Sequence, residues 1–216
     1  AMGTRSVDVR QAASAAMRMP TPTRTSMPAA GPADLPKAAP VEVAQRPSSL
    51  PQTPMPKLTL PDDPKRAEKI ALGHALFFDK RLSGSNDLAC YDCHKNEDGN
   101  GGHDPTAIGS GGKKLPRHSP VLWNVGYWKN AFYWDGRAKT LEDNVKGAWG
   151  GGNMGGAPAD AKPEEVVAAL DKRAAELAGT GGYKKLFEAA FGTTPIKAEH
   201  AIGAISEYLR TMVCND

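Results

Sequence analysis

Residues 89–94, ACYDCH, constrain this chain more than any other part of its sequence. They hold two of its three cysteines, Cys90 and Cys93, which are separated by two residues and followed directly by His94. Three kinds of site use such a pair: a zinc knuckle, a thiol–disulfide redox site and an attachment site for a covalent haem. The rest of the sequence has to decide among them.

The haem interpretation accounts for every residue of the motif. Zinc sites of this kind need four ligands, commonly two Cys-x-x-Cys pairs or one pair with two spaced histidines, whereas this chain has one pair. A thioredoxin-type dithiol opens a helix within a strand–helix–strand unit, and no such unit is visible. In a haem site, Cys90 and Cys93 form thioethers with the vinyl groups and His94 is the proximal iron ligand. The motif therefore predicts one covalent haem c, with a zinc-bound structural module as the alternative.

The first sixty residues differ in composition from the rest. They are rich in Pro, Ala, Ser and Thr and poor in aromatic residues. Such a segment cannot bury enough apolar surface to offset the entropy lost on ordering. We therefore predict an extended or disordered tether over residues 1–60 and a single cytochrome c-type haem domain over residues 61–216.

The predicted domain is all-α and cytochrome c-like, with long irregular Gly-rich loops. Asp62-Asp63-Pro64 is typical of a helix start, a second helix begins near Pro163, Tyr183 to Phe191 form a third, and Thr194-Pro195 opens the last. Residues 82–156 are expected to be loop-like. The second helix carries Val166, Val167, Leu170 and Leu177, and the last helix is predicted to place Ile202, Ile205, Leu209 and Met212 on one face.

Charge and hydropathy exclude several classes of function. The formal net charge is +3 without a run of Lys or Arg, which does not indicate a nucleic-acid-binding protein. No apolar stretch is long enough to cross a bilayer, and no intact secretion signal is visible. Because bacteria attach haem covalently outside the cytoplasm, we expect a periplasmic or extracytoplasmic protein whose signal peptide is already absent.

Beyond the motif, the sequence resembles the N-terminal haem domain of bacterial di-haem cytochrome c peroxidases and their MauG relatives. The resemblance covers residues 61–214, and its most specific block is FYWDGR at residues 132–137. The segments that carry it are LGHALFFDKRLSGSNDLACYDCH, AIGSGGKKLPRHSPVLWNVGYWKNAFYWDGRAKTLEDNVKGAWGGGNMG and KPEEVVAAL. It implies c-type haem chemistry, a redox partner protein of the cytochrome or cupredoxin type, and a second haem domain.

The resemblance also implies roles for individual residues. Trp134 matches the tryptophan that lies between the two haems and carries electrons; otherwise it would be a core aromatic residue. Arg117 matches a basic residue near the haem edge that can pair with a propionate; otherwise it would be a surface arginine. Asp135 and Arg137 are expected to form an ion pair that sets a turn.

Several positions depart from the family pattern. Ser110 stands where the peroxidases have a distal histidine ligand, and Asn153 stands where they have the glutamate that acts as acid and base on peroxide. A family glutamine is Asn144 here. The calcium-site asparagine is His118, so calcium is not expected. The chain also has no second Cys-x-x-Cys-His motif.

These departures leave two haem functions open. Met154 follows Asn153 in a Gly-rich loop, residues 150–156, that is expected to be flexible. As sixth iron ligand it would give a low-spin haem suited to electron transfer, whereas otherwise it fills space beside the haem. His103 and His118 are the other candidates for the sixth ligand. If the distal face is vacant, the alternative is a peroxidase-type oxidoreductase with an impaired or absent acid–base residue.

Overall fold

The computed structural model describes residues 56–192 and 195–214, so the predicted tether before residue 56 lies outside the described residues. Within them, β pairing is limited to three isolated bridges, and the all-α prediction is confirmed. None of the described helices combines the length and apolarity that a bilayer span requires. The α-helices are α1 (Arg66–Phe77), α2 (Cys90–Cys93), α3 (Leu141–Gly150), α4 (Pro163–Ala178), α5 (Tyr183–Phe191) and α6 (Ala198–Leu209).

Helices α1 and α6 form the centre of the domain. Gly73 of α1 lets the two backbones approach so closely that a Cβ atom there would lie 1.9 Å from the carbonyl oxygen of Ala204. Helix α5 packs on α1, and helices α3 and α4 pack on α6. The predicted apolar residues Ile202, Ile205 and Leu209 of α6 are all buried in this core. Burying each such side chain contributes about 1.5–3 kcal/mol, so packing rather than helix propensity holds these short helices.

Two details of the predicted helices are wrong. Helix α1 begins at Arg66, two residues later than the sequence suggests, because the Asp63 carboxylate accepts hydrogen bonds from the backbone N–H of Lys65 (2.9 Å) and from Lys69 Nζ (2.7 Å). Those bonds stabilise a turn around Pro64 before the helix. Helix α6 ends at Leu209, so Met212, which was predicted on its apolar face, is buried beyond the end of the helix.

Helix α3 lies within the region that was expected to be loop-like. Its glycines at positions 147 and 150 lower the intrinsic helix propensity, which hides the pattern in the sequence. The Thr140 side chain caps the helix by accepting a hydrogen bond from the Asp143 backbone N–H at 3.0 Å. Near its other end Trp149 is fully buried, and its indole Nε1 donates to the Leu82 carbonyl at 2.8 Å. Tertiary burial therefore stabilises a helix that local propensity does not predict.

Candidate haem site

A cavity of about 390 Å³ adjoins the Cys-x-x-Cys-His motif. This volume lies within the range of about 300–1,000 Å³ that is usual for cofactor sites. Most of the predicted site residues line it: Cys90, Cys93, His94, Arg117, Trp134, Asn153 and Met154. Helix α2, the loop of residues 107–120, the FYWDGR block, helix α3 and the Gly-rich loop after α3 thus meet around one space.

His94 is partly buried, and its ring contacts the backbone. Its Nδ1 lies 3.3 Å from the backbone carbonyl oxygen of Asn100. A carbonyl oxygen only accepts, so this contact favours the tautomer with the hydrogen on Nδ1 and the lone pair on Nε2. Burial lowers the pKa of His94 to about 4 and keeps the imidazole neutral near pH 7. A neutral imidazole with Nε2 available is the form that ligates iron.

The two motif cysteines are not joined by a disulfide. Burial raises the pKa of the Cys90 thiol to about 12 and also raises that of Cys93, so both are neutral thiols. Thiols with raised pKa values are poor candidates for a thiol–disulfide exchange site, which depends on thiolate. Both thiols line the cavity beside His94, as attachment to a haem requires.

Hydrogen bonds and burial define the position of Met154 in the Gly-rich loop after α3. Met154 is 5% exposed, and its Sδ lies 3.9 Å from Cys90 Sγ. Its backbone N–H donates to the carbonyl of Ala148 at 3.1 Å, and its carbonyl accepts from the N–H of Gly84 at 2.7 Å. Met154 and Asn153 therefore present their side chains to the cavity on an ordered loop.

Ser110 does not line the cavity, although its position in the sequence predicts a place in the distal pocket. Its hydroxyl donates to Asp87 Oδ1 at 2.7 Å. This hydrogen bond is the main cause of the lowered pKa of Asp87. The side chain thus turns toward a carboxylate and away from the cavity.

Trp134, Arg117 and Asp135 lie together at the cavity wall. Trp134 is 62% exposed and is therefore not a core aromatic residue; its Nε1 donates to the His118 carbonyl at 2.8 Å. Asp135 accepts hydrogen bonds from Arg117 Nη1 at 2.6 Å and from Arg137 Nη1 at 2.9 Å. Its carboxylate therefore forms the predicted ion pair with Arg137 and a second ion pair with Arg117. The hydrogen bond from Arg117 is the main reason that the pKa of Asp135 lies well below its usual value.

Of the two histidines considered as alternative ligands, only His118 lines the cavity. Its Nδ1 lies 2.7 Å from the carbonyl oxygen of Asp104. His103 is exposed, and its Nδ1 lies 3.2 Å from Asp98 Oδ1. The helix residue Asn144 also lines the cavity.

Tyr133 is a cavity residue that sequence reasoning did not single out. Its backbone has φ +65°, which is uncommon for an aromatic residue, and its hydroxyl donates to the Asn144 carbonyl at 2.7 Å. Burial raises its pKa to about 12, and the Arg137 guanidinium carbon lies 3.5 Å from the ring centroid. A strained residue held this firmly points to a functional site. The only sequence signal was its place in the FYWDGR block.

The donor set suits haem better than zinc. Within residues 56–192 and 195–214, no three or more His, Cys, Asp or Glu side chains are grouped closely enough to hold a metal ion. The same residues offer two thiols for covalent attachment, one neutral imidazole for iron and an apolar cavity beside them. They fit a haem c in which Cys90 and Cys93 form the thioethers and His94 is the proximal ligand.

Comparison with known proteins gives a consistent result. The family model described as di-haem cytochrome c peroxidase matches residues 67–216. The methylamine utilization protein MauG of Methylorubrum extorquens is 37% identical over 173 residues, which cover 80% of this chain and 44% of that protein. Cytochrome-c peroxidase IdrP1 of Pseudomonas sp. (strain SCT) is 34% identical over 164 residues, which cover 76% of this chain and 39% of that protein. The chain thus spans less than half the length of these relatives.

Solved structures agree in fold. The crystal structure of a MauG-like protein associated with microbial copper homeostasis superposes with a TM-score of 0.57 at 29% sequence identity. The match covers 79% of this chain and 47% of that one. The described domain therefore has an all-α cytochrome c-like peroxidase fold.

Proposed function

This chain belongs to the di-haem cytochrome c peroxidase family, and from that premise we propose that it binds one covalent haem c and transfers electrons through it. Cys90 and Cys93 would hold the haem, and His94 would ligate its iron. When bound, the haem supplies a one-electron iron couple. The observation that carries the proposal is that Met154, a buried thioether on an ordered loop, shares one cavity with these three residues.

The cavity favours electron transfer because it lacks the acid–base residue of the peroxidases. General acid–base catalysis needs a group whose pKa lies near the working pH. Asn153 cannot exchange a proton in this way, and Asp135 is kept ionised by Arg117 and Arg137. Among the described residues that line the cavity, no other carboxylate is present. A buried Met with a neutral His suits a six-coordinate, low-spin haem.

Peroxidase-type chemistry is the second candidate, and the position of His118 favours it. This imidazole lines the cavity and could take over the proton transfer for which Asn153 is unsuited. Because the Ser110 hydroxyl is hydrogen-bonded to Asp87, residue 110 would supply no ligand to the distal face of the haem. This function requires Met154 to be a space-filling residue rather than a ligand.

Replacing Met154 with Leu in the haem-loaded protein distinguishes electron transfer, with Met154 as iron ligand, from peroxidase-type chemistry, with Met154 as a space-filling residue. If Met154 is the sixth ligand, the ferric haem changes from low-spin to high-spin in its optical spectrum. Cyanide then associates at least about tenfold faster, because no thioether bond has to break first. The measurement is a stopped-flow cyanide titration of the purified ferric protein.

Met212→Leu is the matched control, because Met212 is also buried but does not line the cavity. It should keep the spectrum and cyanide kinetics of the unaltered protein. An unaltered protein that is already high-spin and takes up cyanide quickly would contradict Met154 as ligand and favour the peroxidase-type function. In that case His118→Gln should lower peroxide turnover while leaving haem content unchanged.

The proposal extends to partners and location. Residues 61–216 would act as one haem domain beside a second haem domain, as the greater length of the relatives supports. Exposed Trp134, at the cavity wall, is a suitable route for electrons to such a domain or to a cytochrome or cupredoxin partner. Because haem attachment takes place outside the bacterial cytoplasm, the site of action would be periplasmic.

A further inference from the structure

Asn153 and Met154 are held in the cavity by backbone contacts from two other segments. The Ser110 N–H donates to the Asn153 carbonyl at 2.9 Å. The Gly84 N–H donates to the Met154 carbonyl at 2.7 Å. The side chains that face the cavity are therefore aimed by residues that do not line it.

At Gly84 and Gly109, the two supporting segments approach the loop too closely for a residue with a Cβ atom. A Cβ at Gly84 would lie 2.0 Å from the carbonyl oxygen of Gly155. A Cβ at Gly109 would lie 2.8 Å from the carbonyl oxygens of both Gly152 and Asn153. At both glycines backbone lies directly against backbone, so a shift of either supporting segment moves the loop.

Asp87 ties the two supporting segments together. Its Oδ1 accepts from the Ser110 hydroxyl and its Oδ2 accepts from the Gly111 N–H, each at 2.7 Å. Asp87 is itself fixed by the fully buried Ser83, whose hydroxyl oxygen accepts from the Asp87 N–H at 3.1 Å while its hydrogen is donated to the Lys80 carbonyl at 2.9 Å. Ser83 directly precedes Gly84, so Asp87 connects the segment that contains Gly84 with the segment that contains Ser110.

We propose that Asp87 and Ser110 form a bracket that positions Asn153 and Met154 toward the haem. Ser110, which occupies the place of an iron ligand in the family pattern, acts here from outside the cavity as a positioning residue. The bracket rests on the proposed haem function, because its consequence is the coordination and accessibility of the iron. The hydrogen bond to Asp87 orients the Ser110 side chain away from the cavity.

The test compares Asp87→Asn and Ser110→Ala in the haem-loaded protein. Asparagine presents an NH₂ group to one of the two donors, Ser110 or Gly111, while alanine removes only the hydroxyl. In both variants the low-spin fraction of the ferric haem should fall, and cyanide association should rise about tenfold as the loop loosens. Ser110→Ala changes little volume, so it remains informative if Asp87→Asn folds poorly.

Two controls separate positioning from general stability. Asp160→Asn makes the same chemical change at an exposed loop carboxylate and should alter nothing. Glu207→Gln weakens ion pairs with Arg66 and Arg210 away from the cavity lining; it should lower the thermal midpoint without changing cyanide kinetics.

The outcomes for the bracket and for the proposed function are distinguishable. Bracket variants that lose thermal stability but keep the spectrum and cyanide rate of the unaltered protein would overturn the bracket. A high-spin unaltered protein would refute Met154 as ligand. The test of the bracket would then be whether its variants bind cyanide faster than the unaltered protein. A protein that acquires no haem in cells able to attach it would refute the haem function itself.

Discussion

Replacing both Cys90 and Cys93 with alanine abolishes covalent haem attachment, which is the largest functional effect that we expect from the chain. These are the two thiols that line the cavity beside His94, and each thioether needs one of them. Bound haem should fall from about one per chain to background under denaturing conditions. The measurements are the intact mass of the purified protein and haem staining after denaturing electrophoresis, in cells that can attach haem.

Cys214→Ala is the matched control, since Cys214 does not line the cavity. That variant should retain covalent haem at the level of the unaltered protein. Single variants at Cys90 or Cys93 should keep one thioether and give a shifted spectrum of the reduced haem. If the unaltered protein purifies from the same cells colourless and with bound zinc, this would contradict the haem assignment and favour the zinc-bound structural module.

Gly73→Ala should cause a large loss of stability. The new Cβ would lie 1.9 Å from the Ala204 carbonyl oxygen and 2.5 Å from its carbon, and backbone cannot move aside as a flexible side chain can. Helices α1 and α6 would have to separate along their contact. Overpacking typically costs about 1–3 kcal/mol, and a clash with backbone places this variant at or above about 3 kcal/mol. Urea unfolding of the haem-loaded protein measures the change.

Gly203→Ala provides a control of the same chemistry in the partner helix. Nothing lies within 4 Å of a Cβ at Gly203, so the methyl group meets open space. Removing a helical glycine should raise the free energy of unfolding by about 0.5–1 kcal/mol. The two substitutions should therefore shift stability in opposite directions. A similar small gain at both positions would refute the close α1–α6 contact.

The contact between α1 and α6 also supports the haem site. Tyr208 of α6 lies 5.3 Å, between ring centroids, from Phe77 at the end of α1. The next residue, Phe78, lies 4.8 Å from the ring of Tyr91 within the Cys-x-x-Cys motif. Aromatic packing thus runs from the helix pair to α2. We expect Gly73→Ala to reduce haem attachment as well as stability, since α2 loses part of its support.

Some of the site could be predicted from the sequence because its chemistry is local. Cys90, Cys93 and His94 are fixed by covalent spacing, and they line one cavity in the fold. Helix α5, Tyr183–Phe191, has the predicted bounds, because its apolar periodicity and terminal glycine act within the segment itself.

Other features depend on distant contacts and could not be predicted in this way. The orientation of Ser110 is decided by Asp87, twenty-three residues earlier, and the order of the Met154 loop is decided by Gly84. Helix α3 forms despite its glycines because Trp149 is buried against Leu82. Propensity and motif spacing contain no information on such partners.

The haem-attachment prediction, the helical class and the family follow from residue types and short spacings, which are properties of the sequence alone. Which side chains reach the cavity depends on the fold: Met154 and Asn153 face it, and Ser110 does not. The physical reason is that hydrogen bonds and close backbone packing between segments far apart in sequence, rather than local preference, set the direction of each side chain.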